Sequence, residues 1–219
     1  PVLGLFLVLI PAASWAQGSL VPLDRAYDHL YETQEESAFF IYADKGSKLN
    51  HFVPSGWMGD LKAIKLNEGS RSQPHSGKSC IQVTFRAKSS NWAGIYWQNP
   101  PNNWGTVPGA GFDLTGAARL TFWGWGSKGG EKVEFFAFGV GRDPNTGELL
   151  PGHPYPDSSP KVSLGYVSLS RDWQQYVIDL QGRDLSYVIG GFGWATNSTQ
   201  NPGGATFFLD DILFEGNLR

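Results

Sequence analysis

Residues 92–98 read Trp-Ala-Gly-Ile-Tyr-Trp-Gln. At the two-residue period of a strand, Ala93, Ile95 and Trp97 fall on one face, and Trp92, Tyr96 and Gln98 on the other. Residues 119–125 divide the same way, Leu120 and Phe122 against Thr121, Trp123 and Trp125. Residues 80–86 separate Ile81, Val83 and Phe85 from Gln82, Thr84 and Arg86. A sheet face that mixes Trp, Tyr, Gln, Thr and Arg is not an ordinary core face. It has the chemistry that sugars need: aromatic planes cover the C–H face of a pyranose, and amides, guanidinium groups and hydroxyls bind its hydroxyl groups. Two loops carry more of it. Asn99-Pro100-Pro101-Asn102-Asn103-Trp104-Gly105 sets three amides beside an indole, and residues 50–60 are similar, around His51, Phe52 and Trp57. The contact candidates are Trp92, Tyr96, Trp104, Trp123 and Trp125, with Gln98 and Asn103 as polar partners. The competing account places these rings inside the domain, because Trp is highly buried on average, and reads the loops as plain turns.

A second chemistry is metal binding. Asp210 and Asp211 lie in Phe207-Phe208-Leu209-Asp210-Asp211-Ile212-Leu213-Phe214, where adjacent side chains point to opposite faces. One carboxylate is then expected inward, and it needs a cation or strong donors. Calcium suits such a site, since it takes carboxylate and carbonyl oxygens. Asp44, just past the first expected strand, is the candidate second ligand. Asp143-Pro144-Asn145-Thr146-Gly147-Glu148 resembles a short calcium loop but equally a turn, and lacks the later bidentate Glu. The four His show no paired metal spacing.

Catalytic signatures are scarce. No nucleophile elbow, phosphate loop or dinucleotide fingerprint occurs. A glycosidase needs two carboxylates across a cleft. Glu131 and Glu134, three apart on one strand, face opposite sides, which leaves Glu134 with Asp157 or Asp179 as the conceivable pair.

Most of these residues need strands to position them. Ten segments carry strand patterns: 39–43, 63–67, 79–87, 93–98, 119–126, 132–140, 165–169, 174–180, 188–194 and 205–214. Gly, Pro, Asn and Ser clusters separate them, and 28 Gly with 14 Pro suit many short strands better than a helical bundle. Strands without intervening helices predict an antiparallel sandwich or barrel. One short acidic helix is expected over 24–38, where Tyr27, Leu30, Tyr31 and Ala38 share a face. Residues 141–161, with five prolines, form a long loop of the kind that is functional or mobile.

The bulk numbers exclude several classes. With 17 Lys+Arg against 20 Asp+Glu, the net charge of −3 provides no basic face for nucleic acid. A single Cys, Cys80, rules out an intrachain disulfide or multi-Cys zinc site. Residues 2–10 are an unbroken apolar run followed by Pro11-Ala12-Ala13-Ser14-Trp15-Ala16, the pattern of a secretory signal cut after Ala16. The run is too short to span a bilayer, which takes about 20 residues. The initiator Met and basic start are missing, so the sequence is expected to begin within that peptide. The expected organisation is a signal at 1–16, an extension at 17–38 and one β-sandwich at 39–219, exported and not inserted in a membrane.

Three stretches resemble the galactose-binding-like jelly rolls, which include many carbohydrate-binding modules of secreted polysaccharide-degrading enzymes. Thr206-Phe207-Phe208-Leu209-Asp210-Asp211-Ile212 is similar to their closing strand. Trp173-Gln174-Gln175-Tyr176-Val177-Ile178-Asp179-Leu180 is similar to their penultimate one, and Asp113-Leu114-Thr115-Gly116-Ala117 with Leu120-Thr121-Phe122-Trp123 to their central stretch. The resemblance covers residues 78–216. It implies two packed sheets, a structural calcium with Asp210 at the matching position, and a ligand site on a concave face or at loop tips. The expectation is therefore a binding module for a polysaccharide or oligosaccharide, in association with a secreted enzyme or the cell surface. Two alternatives stand beside it: a small jelly-roll hydrolase or lyase, and a surface adhesion module without a sugar ligand.

Overall fold

A computed structural model describes residues 38–218. The signal expected at 1–16 and the part of the expected helix over 24–37 lie outside the described residues. Ala38, assigned to that helix, instead opens a strand. Eleven strands run in chain order: β1 (Ala38–Tyr42), β2 (Val53–Gly59), β3 (Ile64–Ser70), β4 (Cys80–Phe85), β5 (Trp92–Gln98), β6 (Ala117–Gly126), β7 (Lys132–Ala137), β8 (Val162–Ser168), β9 (Gln174–Asp179), β10 (Gly190–Asn197) and β11 (Ala205–Gly216). Among the described residues the one helical segment is a 3-10 turn at Leu61–Ala63, and no helix is long and apolar enough to cross a membrane.

The strands form two antiparallel sheets. One has the order β3-β4-β11-β6-β9, with β1 also paired to β11; the other has the order β2-β5-β10-β7-β8. The twelve residues of β11 explain the extra partner. Its first half pairs with β4 and its second half with β1, while β6 runs along the other side. Between the halves, at Asp210 and Asp211, the register shifts. Asp211 sits there at φ +46°, a left-handed conformation that Asp tolerates better than most residues.

The core lies between the sheets. Ile81, Val83, Leu120, Phe122, Phe207 and Leu209 supply one side; Ile95, Trp97, Phe135, Phe192 and Trp194 supply the other. Fully burying a large apolar side chain stabilises by about 1.5–3 kcal/mol, so this layer dominates the energetics. The alternation expected for β4, β5 and β6 is the one observed. Three differences matter. Val53–Gly59 was expected to be a rim loop but pairs with β5 as an edge strand, a position that accommodates Pro54. The strand expected to reach Val140 ends at Ala137, because Phe138 and Gly139 have φ +61° and +91°. Strand β8 begins at Val162, three residues before the alternation suggested.

Candidate functional site

The outer face of the β10 sheet is a groove of about 600 Å³. Pairing across the strands gives its floor. One row runs Met58, Gly94, Ala195, Glu134, Tyr166, crossing all five strands. The next runs Gly56, Tyr96, Gly193, Phe136, Ser163. On the other side of the first row, Trp92 pairs with Asn197. The central strand therefore presents its smallest side chains, which makes the trough. Gly193 has no alternative: a Cβ there would meet the Phe136 ring at 2.2 Å. Tyr96 and Phe136 close over it edge to face, centroids 4.9 Å apart.

Trp92 is 50% exposed at the end of β5, and Tyr166 is 42% exposed on β8. Asn197 Nδ2 donates to the Tyr166 hydroxyl at 2.8 Å. Burial and the Glu134 charge push the Tyr166 phenol above its ordinary pKa, against that hydrogen bond. The opposite wall comes from loops. Trp104 stands edge-on to Tyr96, with centroids 6.0 Å apart. Its carbonyl bonds His153 Nδ1, and Tyr155 N–H donates to Gly105 O at 2.9 Å, so residues 99–107 and 141–161 form one wall. The 141–161 loop is thus structured at the groove. Arg142 fastens it by donating to the carbonyls of Asp157, Gly147 and Ser158.

Of the expected contacts, Trp92, Tyr96 and Trp104 line this groove, though Tyr96 is mostly buried and its hydroxyl donates to Phe138 O. Gln98 and Asn103 do not contact it. Both are buried, and they fold the loop that carries Trp104. Asn103 Oδ1 accepts the N–H groups of Gly105, Thr106 and Val107, and Gln98 Nε2 donates to Asn103 O.

Trp123 and Trp125 belong to the opposite sheet's outer face, where they are covered. His75 stacks on Trp123 at 3.8 Å and 16°. Phe208 stacks on Trp125 at 4.3 Å and 8°. Trp173 Nε1 donates to Gln73 O at 3.0 Å. The β3–β4 segment thus packs on Trp123 and Trp173, and Trp125 packs on Phe208 and Trp173. Sequence alternation separates the two faces of a strand but does not tell which a loop will cover.

The expected catalytic carboxylates are dispersed. Glu134 lies in the groove, where Oε1 accepts Lys161 Nζ at 2.9 Å and Ser163 Oγ at 2.7 Å. Asp157 is fully buried and holds backbone together: it accepts N–H bonds from Val140, Ile189 and Gly190. Burial pushes its carboxyl up to about 7, against those three donors and the Arg142 charge. Asp179 is exposed on β9 of the other sheet and accepts Gln181 N–H. Among the described residues, Glu134 is the one Asp or Glu lining the groove. It has no partner carboxylate there for two-carboxylate hydrolysis.

The calcium ligands can be judged by their donors. Asp210 points away from the core, and the β3–β4 segment buries it completely. Its Oδ2 accepts the N–H groups of His75 and Ser76, and its Oδ1 that of Asp211. Burial, then the Asp211 charge, push this carboxyl up to about 7. Asp44 accepts Ser79 N–H and Oγ on Oδ1 and Lys78 N–H on both oxygens. All four oxygens face hydrogen-bond donors, mostly backbone N–H groups, where a cation would be repelled. Among the described residues no group of three His, Cys, Asp or Glu is placed to hold a metal. These residues do not fit calcium. Asp143 likewise caps a turn, accepting Asn145 and Thr146 N–H.

Tyr166, Asn197, Lys161 and Met58 were missed. The alternation rule applied to β8 and β10 would have found Tyr166. Asn197 lay beyond the strand end at Trp194.

No family model matches the sequence, and no curated protein matches it. Solved structures do match by fold. A family 30 carbohydrate-binding module superposes with TM-score 0.54 at 17% identity, over 82% of this chain and 98% of that one. The family 30 module of a cellulosomal cellulase of Clostridium thermocellum gives 0.53 at 16%, over 82% and 97%. The glycoside hydrolase domain of Endo-D from Streptococcus pneumoniae R6 is looser, 0.47 at 11%, over 73% of this chain and 21% of that one. The chain has the two-sheet jelly-roll fold of these carbohydrate-binding modules.

Proposed function

We propose that the protein binds a polysaccharide or oligosaccharide in the groove on the β10 sheet. The observation that carries this reading is the half-exposed Trp92 indole facing a trough floored by Gly94 and Ala195, with Trp104 on the opposite wall. Indole and phenol faces cover sugar C–H groups, and Asn197 and Glu134 bind hydroxyls along the same trough. Five strands give four steps of about 4.8 Å, roughly 19 Å of floor, room for about four sugar rings. The fold shared with carbohydrate-binding modules supports the reading. So does the apolar run at 2–10 with its small-residue cleavage pattern, which would deliver the chain to extracellular glycans, alone or beside a secreted enzyme.

The test is affinity electrophoresis through gels containing plant and microbial polysaccharides. Trp92→Ala and Trp104→Ala should abolish retardation on any gel that retards the parent protein. Retardation unchanged in both variants would move binding elsewhere.

A further inference from the structure

Glu134 has one oxygen already engaged and one left over. Oε1 accepts both Lys161 and Ser163, and Oε2 accepts no hydrogen bond from any described residue. The side chain is held by its two partners, 19% exposed, in the floor row between Ala195 and Tyr166. A fixed carboxylate oxygen with spare lone pairs is a strong acceptor for hydroxyl groups. The cations near it are committed. Lys161 Nζ is paired to Glu134 and lies 5.2 Å from the Phe136 ring centroid. Arg142 spends its guanidinium on three loop carbonyls. His153 Nδ1 is bonded to Trp104 O. A carboxylated sugar entering this trough would meet the Glu134 charge and find no cation free to pair with it.

We infer that Glu134 determines the specificity of the groove: its Oε2 accepts from hydroxyls of an uncharged sugar, and its charge excludes uronate-containing chains. The inference rests on the glycan reading of the groove. Lys161 is the counterweight. It holds the carboxylate in place, and when released it becomes a free cation in the same trough.

The experiment compares retention of the parent protein, Trp92→Ala, Glu134→Gln and Glu134→Asp on uncharged polymers (mixed-linkage β-glucan, xylan, galactomannan) and carboxylated ones (polygalacturonate, alginate), with a melting temperature for each variant. The parent is expected on at least one uncharged polymer and on neither carboxylated one. Glu134→Gln should lose at least tenfold in affinity for the uncharged polymer. It should gain salt-sensitive retention on a carboxylated one, because Lys161 is unpaired. Glu134→Asp keeps the charge but shortens the reach, so it should lose the uncharged polymer without gaining the carboxylated one. A purely structural role for Glu134 would lower melting temperature and produce no such gain. Parent binding to a carboxylated polymer overturns the inference, as does Glu134→Gln binding like the parent. If that happens while Trp92→Ala still abolishes retention, the groove stands and the role of Glu134 falls. If Trp92→Ala binds like the parent, or the parent binds none of the polymers, the groove reading fails as well.

Discussion

The Trp125 indole lies flat on the Phe208 ring, centroids 4.3 Å apart and planes 8° from parallel, on the sheet that does not carry the groove. Trp173 adds an edge-on contact at 6.0 Å, and the indole is half-buried. Its Nε1 is buried with no hydrogen-bond partner. Trp125→Ala should therefore cost stability and leave glycan retention alone. We expect a loss of about 2 kcal/mol and a fall in Tm of roughly 4–8 °C, by analogy with large-to-small core changes in a domain of this size. Trp125→Phe keeps the stack and removes the unpartnered N–H, so it should lose much less. Loss of retention by folded Trp125→Ala would put a binding surface on this sheet.

Asn103 makes the opposite prediction. Its side chain is buried, yet it fixes the loop that carries Trp104 through three accepted N–H bonds. Asn103→Ala strands those donors, at a cost of about 1–3 kcal/mol for leaving buried groups unsatisfied. Retention should weaken at least tenfold in protein that calorimetry shows to be folded, because Trp104 loses its position. Unaltered retention would show that Trp104 is held without this residue.

The sheets were legible because alternation reports burial directly: Ile81, Val83 and Phe85 face the core as their spacing requires. Strand β2 was hidden by Pro54, Gly56 and Gly59, residues that an edge strand tolerates but that read as a loop. Half of the site was legible for the same reason, since Trp92 and Tyr96 share a face with the groove. Trp123 and Trp125 obey the same rule on β6. Their fate was decided by residues 71–79, whose docking through His75 and Gln73 is a tertiary event without a periodic signature. Asp157 and Asp210 were opaque for a related reason. Their partners are backbone N–H groups distant in sequence, which no side-chain pattern announces.

Metal removal gives a third prediction. Every carboxylate oxygen of Asp44 and Asp210 already accepts a hydrogen bond from the protein, so no ligand set awaits an ion. Addition of a chelator, or of millimolar-range calcium, should leave Tm unchanged to within about 1 °C. A calcium-dependent rise of several degrees would mean that the 75–79 backbone reorganises to admit the ion.

The last prediction concerns pH. Asp157 and Asp210 are both fully buried, and burial raises both carboxyls to about 7. A raised folded-state value means that the native protein holds protons the unfolded chain has released. Stability from this source is complete below the ordinary carboxylate range and is lost as pH rises through about 7. The carboxylates held below their ordinary values, Asp60, Asp143 and Asp184, act in the other direction, but they are ionised in both states above pH 5. Urea unfolding between pH 5 and pH 8 isolates the buried pair from them. Each carboxyl should lose on the order of 2–3 kcal/mol of stability across that window, and the pair about twice that. The measurement is best made in His75→Phe, which removes the imidazole bonded to Asp211 and keeps a ring on Trp123. In that background Asp210→Asn should reduce the slope by about half. A stability that is flat or rises from pH 5 to pH 8 would show that the backbone N–H donors hold both groups ionised.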